Sequence, residues 1–318
     1  LTGGTGTDDV LTITSTAAIT IAAADTANWS GIENITTAAT ANTLSLELSD
    51  GNAAAGTTLT INATSMTATA FTLLGANEAD ANLVVTAAGT AAHQITLGSG
   101  NDSYTSTSSG ADVVVATAGT NTISTGAGVD DITSGSGADT ITFGAGAENI
   151  LTLSTASLGA SATDVITDWT SATVEIEIDI SELSAVPPDL DDMTTDQTAG
   201  DADVFTITGA ADLGTAAATD GIVLVNLTGN IADTDALETA LEMGGDAALT
   251  ASGAIAVGDI LLAAYTDGTD AYIAQVVFGA IVADNDTIRQ NSLTATNLVK
   301  LTGIDDVTDI QDGDIVFI

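Results

Sequence analysis

The chain has no cysteine, two prolines, one histidine and two basic residues among 318 positions. Each scarcity removes a class of chemistry. Without Cys there is no disulfide, no thiol nucleophile and no thiolate-held zinc. Arg289 and Lys300 are the only cationic side chains. No basic patch can therefore neutralise phosphate, which excludes nucleic acid as a partner and disfavours an anionic membrane surface. A single imidazole, His93, cannot supply a zinc site, a catalytic triad and a proton shuttle; it lies in an alternating segment and reads as structural. Aromatics make up 3%, too few for rows of sugar-stacking platforms. No apolar run approaches the roughly 20 residues needed to span a bilayer, so membrane insertion is not expected. No P-loop or dinucleotide fingerprint occurs. Paired acids such as Asp191 and Asp192 read as solvated loop residues rather than a glycosidase pair. No enzymatic activity is expected of this chain.

What is present is acid and small residues. Asp and Glu number 43, for a net charge of −41, and 45% of residues are apolar. Short Val, Ile and Leu runs alternate with Thr throughout, which argues for β structure rather than disorder. Such a charge is tolerable when divalent metal or salt screens it.

The acids are not scattered. From Gly98 to Ile150 one pattern repeats: Gly, any residue, a carboxylate or amide, any residue, an apolar residue. It occurs as Gly100-x-Asp102-x-Tyr104, Gly110-x-Asp112-x-Val114, Gly119-x-Asn121-x-Ile123, Gly128-x-Asp130-x-Ile132, Gly137-x-Asp139-x-Ile141 and Gly146-x-Glu148-x-Ile150. The oxygen-bearing residues lie 10, then 9, 9, 9 and 9 positions apart. Glycine supplies positive φ or close chain approach at little cost. The oxygen two residues on sits in the turn, and the apolar residue two further points the same way along a short strand. Each unit is then half a coil. Stacked coils give two parallel sheets, with carboxylates in a column at each turn. Stacked carboxylates repel, and a hard cation such as Ca²⁺, with six to eight oxygen ligands, removes that cost. The spacing predicts ions shared between Asp102 and Asn121, Asp112 and Asp130, Asn121 and Asp139, and Asp130 and Glu148. The candidate metal residues are Gly98, Gly100, Asp102, Gly110, Asp112, Gly119, Asn121, Gly128, Asp130, Gly137, Asp139, Gly146 and Glu148. Asp8 joins them from the isolated Gly3-Gly4-Thr5-Gly6-Thr7-Asp8-Asp9-Val10.

This array resembles the nonapeptide repeat of RTX proteins, Gly-Gly-x-Gly-x-Asp-x-apolar-x, which forms a calcium-binding β-roll. Here the first Gly is often replaced, as at Leu97, Thr125, Ser134 and Phe143. Protease and lipase members of that family carry HExxH or GxSxG, and neither motif occurs. Asp164-Val165-Ile166-Thr167-Asp168-Trp169, followed by Val174 to Ser181, resembles the segment that closes such rolls. In that likeness Trp169 covers the last coil and shields its open edge.

The fold expected is all-β: a parallel β-solenoid or β-roll, followed by a smaller β-rich C-terminal domain with one short helix. Residues 1–97 read as irregular solenoid coils and 98–181 as the calcium roll with its closing segment. Residues 182–200, which hold both prolines, read as a linker, and 201–318 as the C-terminal domain. In that domain Asp233 to Gly245 reads as an amphipathic helix with an acidic N-cap. Tyr265 to Tyr272 reads as a hairpin with an Asp-Gly turn. The ending Asp312-Gly313-Asp314-Ile315-Val316-Phe317-Ile318 resembles the uncleaved C-terminal signal of type I secretion substrates. Such a signal would account for the lack of a leader at LTGGTGTDDV.

The layout resembles surface-layer proteins of Gram-negative bacteria. It implies a secreted, calcium-dependent structural subunit of the cell surface that assembles with copies of itself. Cell-surface polysaccharide is a further expected partner. Two other readings stand beside it: the distal part of a secreted adhesin, and the secretion and folding half of an RTX enzyme.

Overall fold

The computed structural model describes residues 1–14, 17–38, 42–154, 162–178, 200–201, 203–207, 211–212, 223–246, 248–250, 260–280, 287–311 and 314–317. The linker expected at 182–200 lies, but for Gly200, outside the described residues. So do Asp179 to Ser181 of the closing segment, and Asp312, Gly313 and Ile318 of the tail. The chain forms two compact units. One holds Leu1–Thr152 and Ala172–Val174; the other holds Leu153–Ser171 and Glu175–Ile318.

The first unit is a parallel solenoid. Its strands are β1 (Val10–Ile13), β2 (Ile19–Ile21), β3 (Asn34–Thr37), β4 (Leu44–Glu47), β5 (Thr58–Asn62), β6 (Phe71–Leu74), β7 (Asn82–Gly89), β8 (Gln94–Thr96), β9 (Ser103–Ser108), β10 (Val113–Ala118), β11 (Thr122–Ser124), β12 (Asp131–Ser136), β13 (Thr140–Thr142) and β14 (Asn149–Leu153). Odd strands up to β13 form one sheet and even strands the other, each in sequence order. Every coil thus contributes one strand to each sheet. The coil length is read from the register. Val113 pairs with Asp131 and Thr122 with Thr140, an advance of 18 residues. Earlier coils are longer: Val10 pairs with Asn34 and Leu44 with Phe71.

Period-two alternation fixes which residues face inward. Leu44, Leu46, Leu59, Ile61, Phe71, Leu73, Leu83, Val85, Ile95, Val114, Ile123, Ile132 and Ile141 are all buried between the sheets, while their neighbours of the Thr, Ser and Asn type face out. At about 25 cal/mol per Å² of apolar surface, each Leu or Ile contributes roughly 1.5–3 kcal/mol. Parallel strands with short turns leave little room for larger side chains, which suits the small-residue composition.

In the second unit, Val223–Asn230 pairs in parallel with Asp203–Ile207 and Ile260–Thr266. Ile260–Thr266 and Ala271–Phe278 form the expected antiparallel hairpin around Gly268, at φ 93. Leu293–Leu301 continues the sheet. The expected helix spans Thr234–Leu241; the Asp233 side chain accepts from the Ala236 amide, and Leu237 and Leu241 are buried. They pack with Leu261, Tyr265, Val276, Phe278 and Ile288. Among the described residues no helix is long and apolar enough to cross a membrane.

The segment expected to close the roll belongs mostly to this second unit. Asp164–Ile166 pairs in parallel with Val299–Leu301, and Trp169 is buried. The unit boundary therefore falls after Thr152, well before the linker predicted at 182, because backbone pairing ties residues 164–166 to a strand far downstream. The tail is a paired strand: Ile315–Phe317 runs parallel to Ile176–Ile178 and antiparallel to Gly200–Asp201.

Candidate metal centre

The turns of the nonapeptide coils are stacked glycines. A Cβ on Gly128 would lie 2.3 Å from the carbonyl oxygen of Gly110, and one on Gly137 would lie 1.9 Å from that of Gly119. Both glycines also have positive φ, 138 and 132. Either condition alone selects glycine; here both hold. Gly100, Gly119 and Gly137 form one column, and Gly110, Gly128 and Gly146 the other. Gly98 lies at the entry of the first, where a Cβ would meet the carbonyl of Glu78 at 2.5 Å.

Beside each glycine column runs a ladder of buried polar side chains. The amide of Leu83 donates to Oδ1 of Asp102, at 2.7 Å, and that of Asp102 to Oδ1 of Asn121, at 2.9 Å. Asn121 in turn donates to Oδ1 of Asp139, at 2.8 Å. On the other edge the amide of Asp112 donates to Oδ1 of Asp130, at 2.8 Å, and that of Asp130 to Oδ1 of Asn149, at 2.9 Å. Each side-chain oxygen therefore satisfies the turn amide of the coil before it. Asp102, Asp112, Asn121, Asp130 and Asp139 are each no more than 2% exposed. The structure stacks Asp102 with Asn121, Asp112 with Asp130, and Asn121 with Asp139, the first three pairs read from the spacing.

Two sequence-predicted residues lie elsewhere. Glu148 is exposed, at φ 62, and Asn149 takes the buried position that its spacing assigned to it. The chain slips by one residue, and Leu151 rather than Ile150 turns inward. Asp8 is exposed, while Asp9 accepts the Gly4 amide at 2.7 Å and donates its own amide to Glu33, at 2.9 Å. The first glycine motif thus uses its second acid.

One member was missed altogether. His93 sits in the turn before β8, not within a strand. Its Nδ1 accepts the Phe71 amide at 3.1 Å, and its own amide donates to Oδ1 of Asp112, at 2.8 Å. The ring is a rung of the ladder, one coil ahead of Asp112. Because Nδ1 accepts, the ring proton lies on Nε2, which is buried without a hydrogen-bond partner. The 19-residue interval from His93 to Asp112 was the available signal.

The electrostatics are those of anions held out of water. Burial pushes the carboxyls of Asp102, Asp112 and Asp130 above the usual carboxylate range, and amide hydrogen bonds only partly offset this. No Lys or Arg occurs in residues 1–152 to compensate. The second oxygens differ. Gly98 donates its amide to Oδ2 of Asp102 at 2.9 Å, and Tyr104 its phenol to Oδ2 of Asp112 at 2.9 Å. Oδ2 of Asp130 is buried with no hydrogen-bond partner. The Thr125 hydroxyl beside it helps hold the Asp130 carboxyl down, but its well-aligned hydrogen bond goes to the Phe143 carbonyl, at 3.1 Å. A buried carboxylate oxygen without a donor is costly unless a cation faces it.

Residues 106–141 match the family model of the RTX calcium-binding nonapeptide repeat, in four copies. No curated protein and no solved structure matches the chain. This stretch therefore carries RTX-type nonapeptide repeats, which are calcium-binding motifs, and Ca²⁺ is the ion they imply. Such repeats are typical of secreted, extracellular proteins. The residues present fit the ion: all-oxygen donors, an unpartnered buried carboxylate oxygen at Asp130, and turns lined by glycine carbonyls. The ion supplies the positive charge that the ladder lacks. Asp112, Asp130 and Asp139, with their stacked glycines, would hold it.

Proposed function

We propose that this chain is a calcium-dependent structural protein of the bacterial cell surface, a surface-layer or extracellular-matrix subunit that assembles with copies of itself. The observation that carries the reading is the ladder. Its acids are spent on joining one coil to the next: Asp102, Asp112 and Asp130 are buried and bonded to backbone amides. A cation there acts on shape.

The surface supports the same reading. With 43 acids against two basic residues, neighbouring copies repel in the absence of metal and attract through bridging Ca²⁺ when it is present. Export by a type I system, with the Asp314-Ile315-Val316-Phe317 region as its signal, belongs to this proposal. No catalytic role is assigned to the chain.

Electron microscopy of the purified protein tests assembly. Sheets or filaments are expected at millimolar Ca²⁺ and only dispersed particles in EDTA. Monomers under both conditions would exclude the lattice.

A further inference from the structure

The coils before the nonapeptides carry acids in their turns as well. Asp50 lies in the turn after β4. Glu78 and Asp80 lie in the turn after β6, one coil on, and β4 and β6 are registered neighbours. The three side chains come together: one carboxylate oxygen from each lies within 4.8 Å of the others. Asp50 and Asp80 are exposed, whereas Glu78 is fully buried beneath them.

Glu78 is the informative member. Its Oε2 receives the Ala53 amide at 3.4 Å, a long contact. Its Oε1 is buried and has no hydrogen-bond partner. A fully buried carboxylate with one oxygen unsatisfied is destabilising by itself. Two further carboxylates within 4.8 Å add to that cost, and residues 1–152 contain no Lys or Arg. The turn lacks the Gly-x-Asp pattern, so the nonapeptide array does not extend to it.

We propose that Asp50, Glu78 and Asp80 form a separate calcium site that clasps the β4 and β6 coils outside the nonapeptide array. The donor set is oxygen only, which selects a hard cation over zinc or copper. With Ca–O distances of about 2.3–2.6 Å, ligands across one ion lie up to about 5 Å apart, which accommodates three oxygens at this separation. The exposed Asp50 and Asp80 give the ion a way in from solvent, and Glu78 forms the floor of the site. Burial raises the Glu78 carboxyl above its usual range; the Ala53 and Ala81 amides offset this only in part, and the charges of Asp50 and Asp80 push it further up. The ion therefore displaces a proton or relieves an uncompensated charge. The irregular coils thereby gain a metal clamp of their own.

The test uses the full chain and Ca²⁺ alone. Bound calcium is counted by equilibrium dialysis for the parent, for Glu78→Gln and for the double variant Asp50→Asn with Asp80→Asn. Hydrogen exchange is followed over residues 50–56 and 75–81, with and without the ion. Each variant is expected to lose about one ion per chain, along with the calcium-dependent protection of both turns, while protection over residues 106–141 stays. Asp50 and Asp80 are exposed, so the double variant keeps the test decisive if Glu78→Gln does not fold. Unchanged calcium content and unchanged protection in the double variant would overturn the site. Loss of protection over 106–141 in Asp112→Asn with Asp130→Asn, with the 50–80 turns still responding, would separate the two sites.

Discussion

Tyr104 donates its phenol proton to Oδ2 of Asp112 across 2.9 Å, with both side chains buried inside the solenoid. Tyr104 is the second residue of β9 and Asp112 immediately precedes β10, which lies in the opposite sheet, so the bond crosses the core. It also completes Asp112, whose Oδ1 already holds the His93 amide. Burial and the neighbouring Asp112 push the phenol's own titration far up, so it remains a donor throughout the accessible range. Replacing Tyr104 by Phe keeps the ring and strips the donor. The expected cost is about 1–3 kcal/mol, the penalty for a buried charged acceptor left short of a partner. Urea unfolding of Tyr104→Phe in calcium measures it, and an unchanged midpoint would show that water or metal already satisfies Asp112.

The pH dependence should reverse with calcium. Burial raises the folded-state carboxyls of Asp102, Asp112 and Asp130. The folded chain then holds these protons more tightly than the unfolded one, whose aspartates titrate near about 3.9. Stability from these groups is therefore full below that value and is lost as pH rises through the raised folded values. In EDTA, thermal unfolding should occur at higher temperature at acid pH than at neutral pH. In Ca²⁺ the order inverts, because the ion favours the ionised ligands and protons compete with it. Net charge alone would also favour acid in EDTA. A triple Asn variant at 102, 112 and 130 separates the two causes by flattening the slope. Circular dichroism melts that show no pH effect in EDTA would rule the mechanism out.

The turn glycines should be unequal in a way that φ alone does not explain. Gly51 and Gly137 both have positive φ, 85 and 132. A Cβ at Gly51 meets nothing within 4 Å, whereas at Gly137 it lies 1.9 Å from the Gly119 carbonyl oxygen. Gly51→Ala should cost only conformational strain, about 1–2 kcal/mol. Gly137→Ala must separate two coils. It should abolish cooperative unfolding of the first unit or lower its midpoint several times further. Comparable midpoints for the two variants would mean that the coils are not in contact at this turn.

Much of the solenoid was legible because period-two alternation and a nine-residue interval determine the same register. Where those two signals diverged, reading failed for identifiable reasons. At 146–151, Glu148 and Asn149 are both oxygen-bearing, and Ile150 and Leu151 are both apolar, but only Glu148 has a glycine two residues before it. The glycine points to Glu148, and stacking on Asp130 selects Asn149 instead. At the first motif, Asp8 and Asp9 pose the same ambiguity. His93 was opaque for another reason: an imidazole can accept an amide as a carboxylate does, but no oxygen pattern finds it. Asp50, Glu78 and Asp80 sit in coils whose length varies, so no fixed interval brings them together. The hairpin and helix of the second unit followed from local signals, Asp267-Gly268 and the Asp233 cap. The pairing of Asp164–Ile166 with Val299–Leu301 is long-range and leaves no trace in composition.

The slip at Glu148 has an energetic consequence of its own. Glu148 is held at φ 62, a left-handed conformation that disfavours a side chain with a Cβ. Its carboxylate is exposed and outside the ladder. Glu148→Gly should therefore stabilise the roll by about 0.5–1 kcal/mol, since the relief of left-handed strain is only partly offset by the added freedom of the unfolded chain. Calcium content should not change. Asn149→Ala acts in the opposite direction. It removes the acceptor of the buried Asp130 amide, 2.9 Å away, and should cost about 1–3 kcal/mol. It also frees the turn that positions Asp130, so calcium affinity should fall. Had the nine-residue interval held to its end, the results would be exchanged: Glu148→Gly would lose calcium and Asn149→Ala would be silent. Chemical denaturation and calcium titration of the two single variants, read side by side, distinguish these registers.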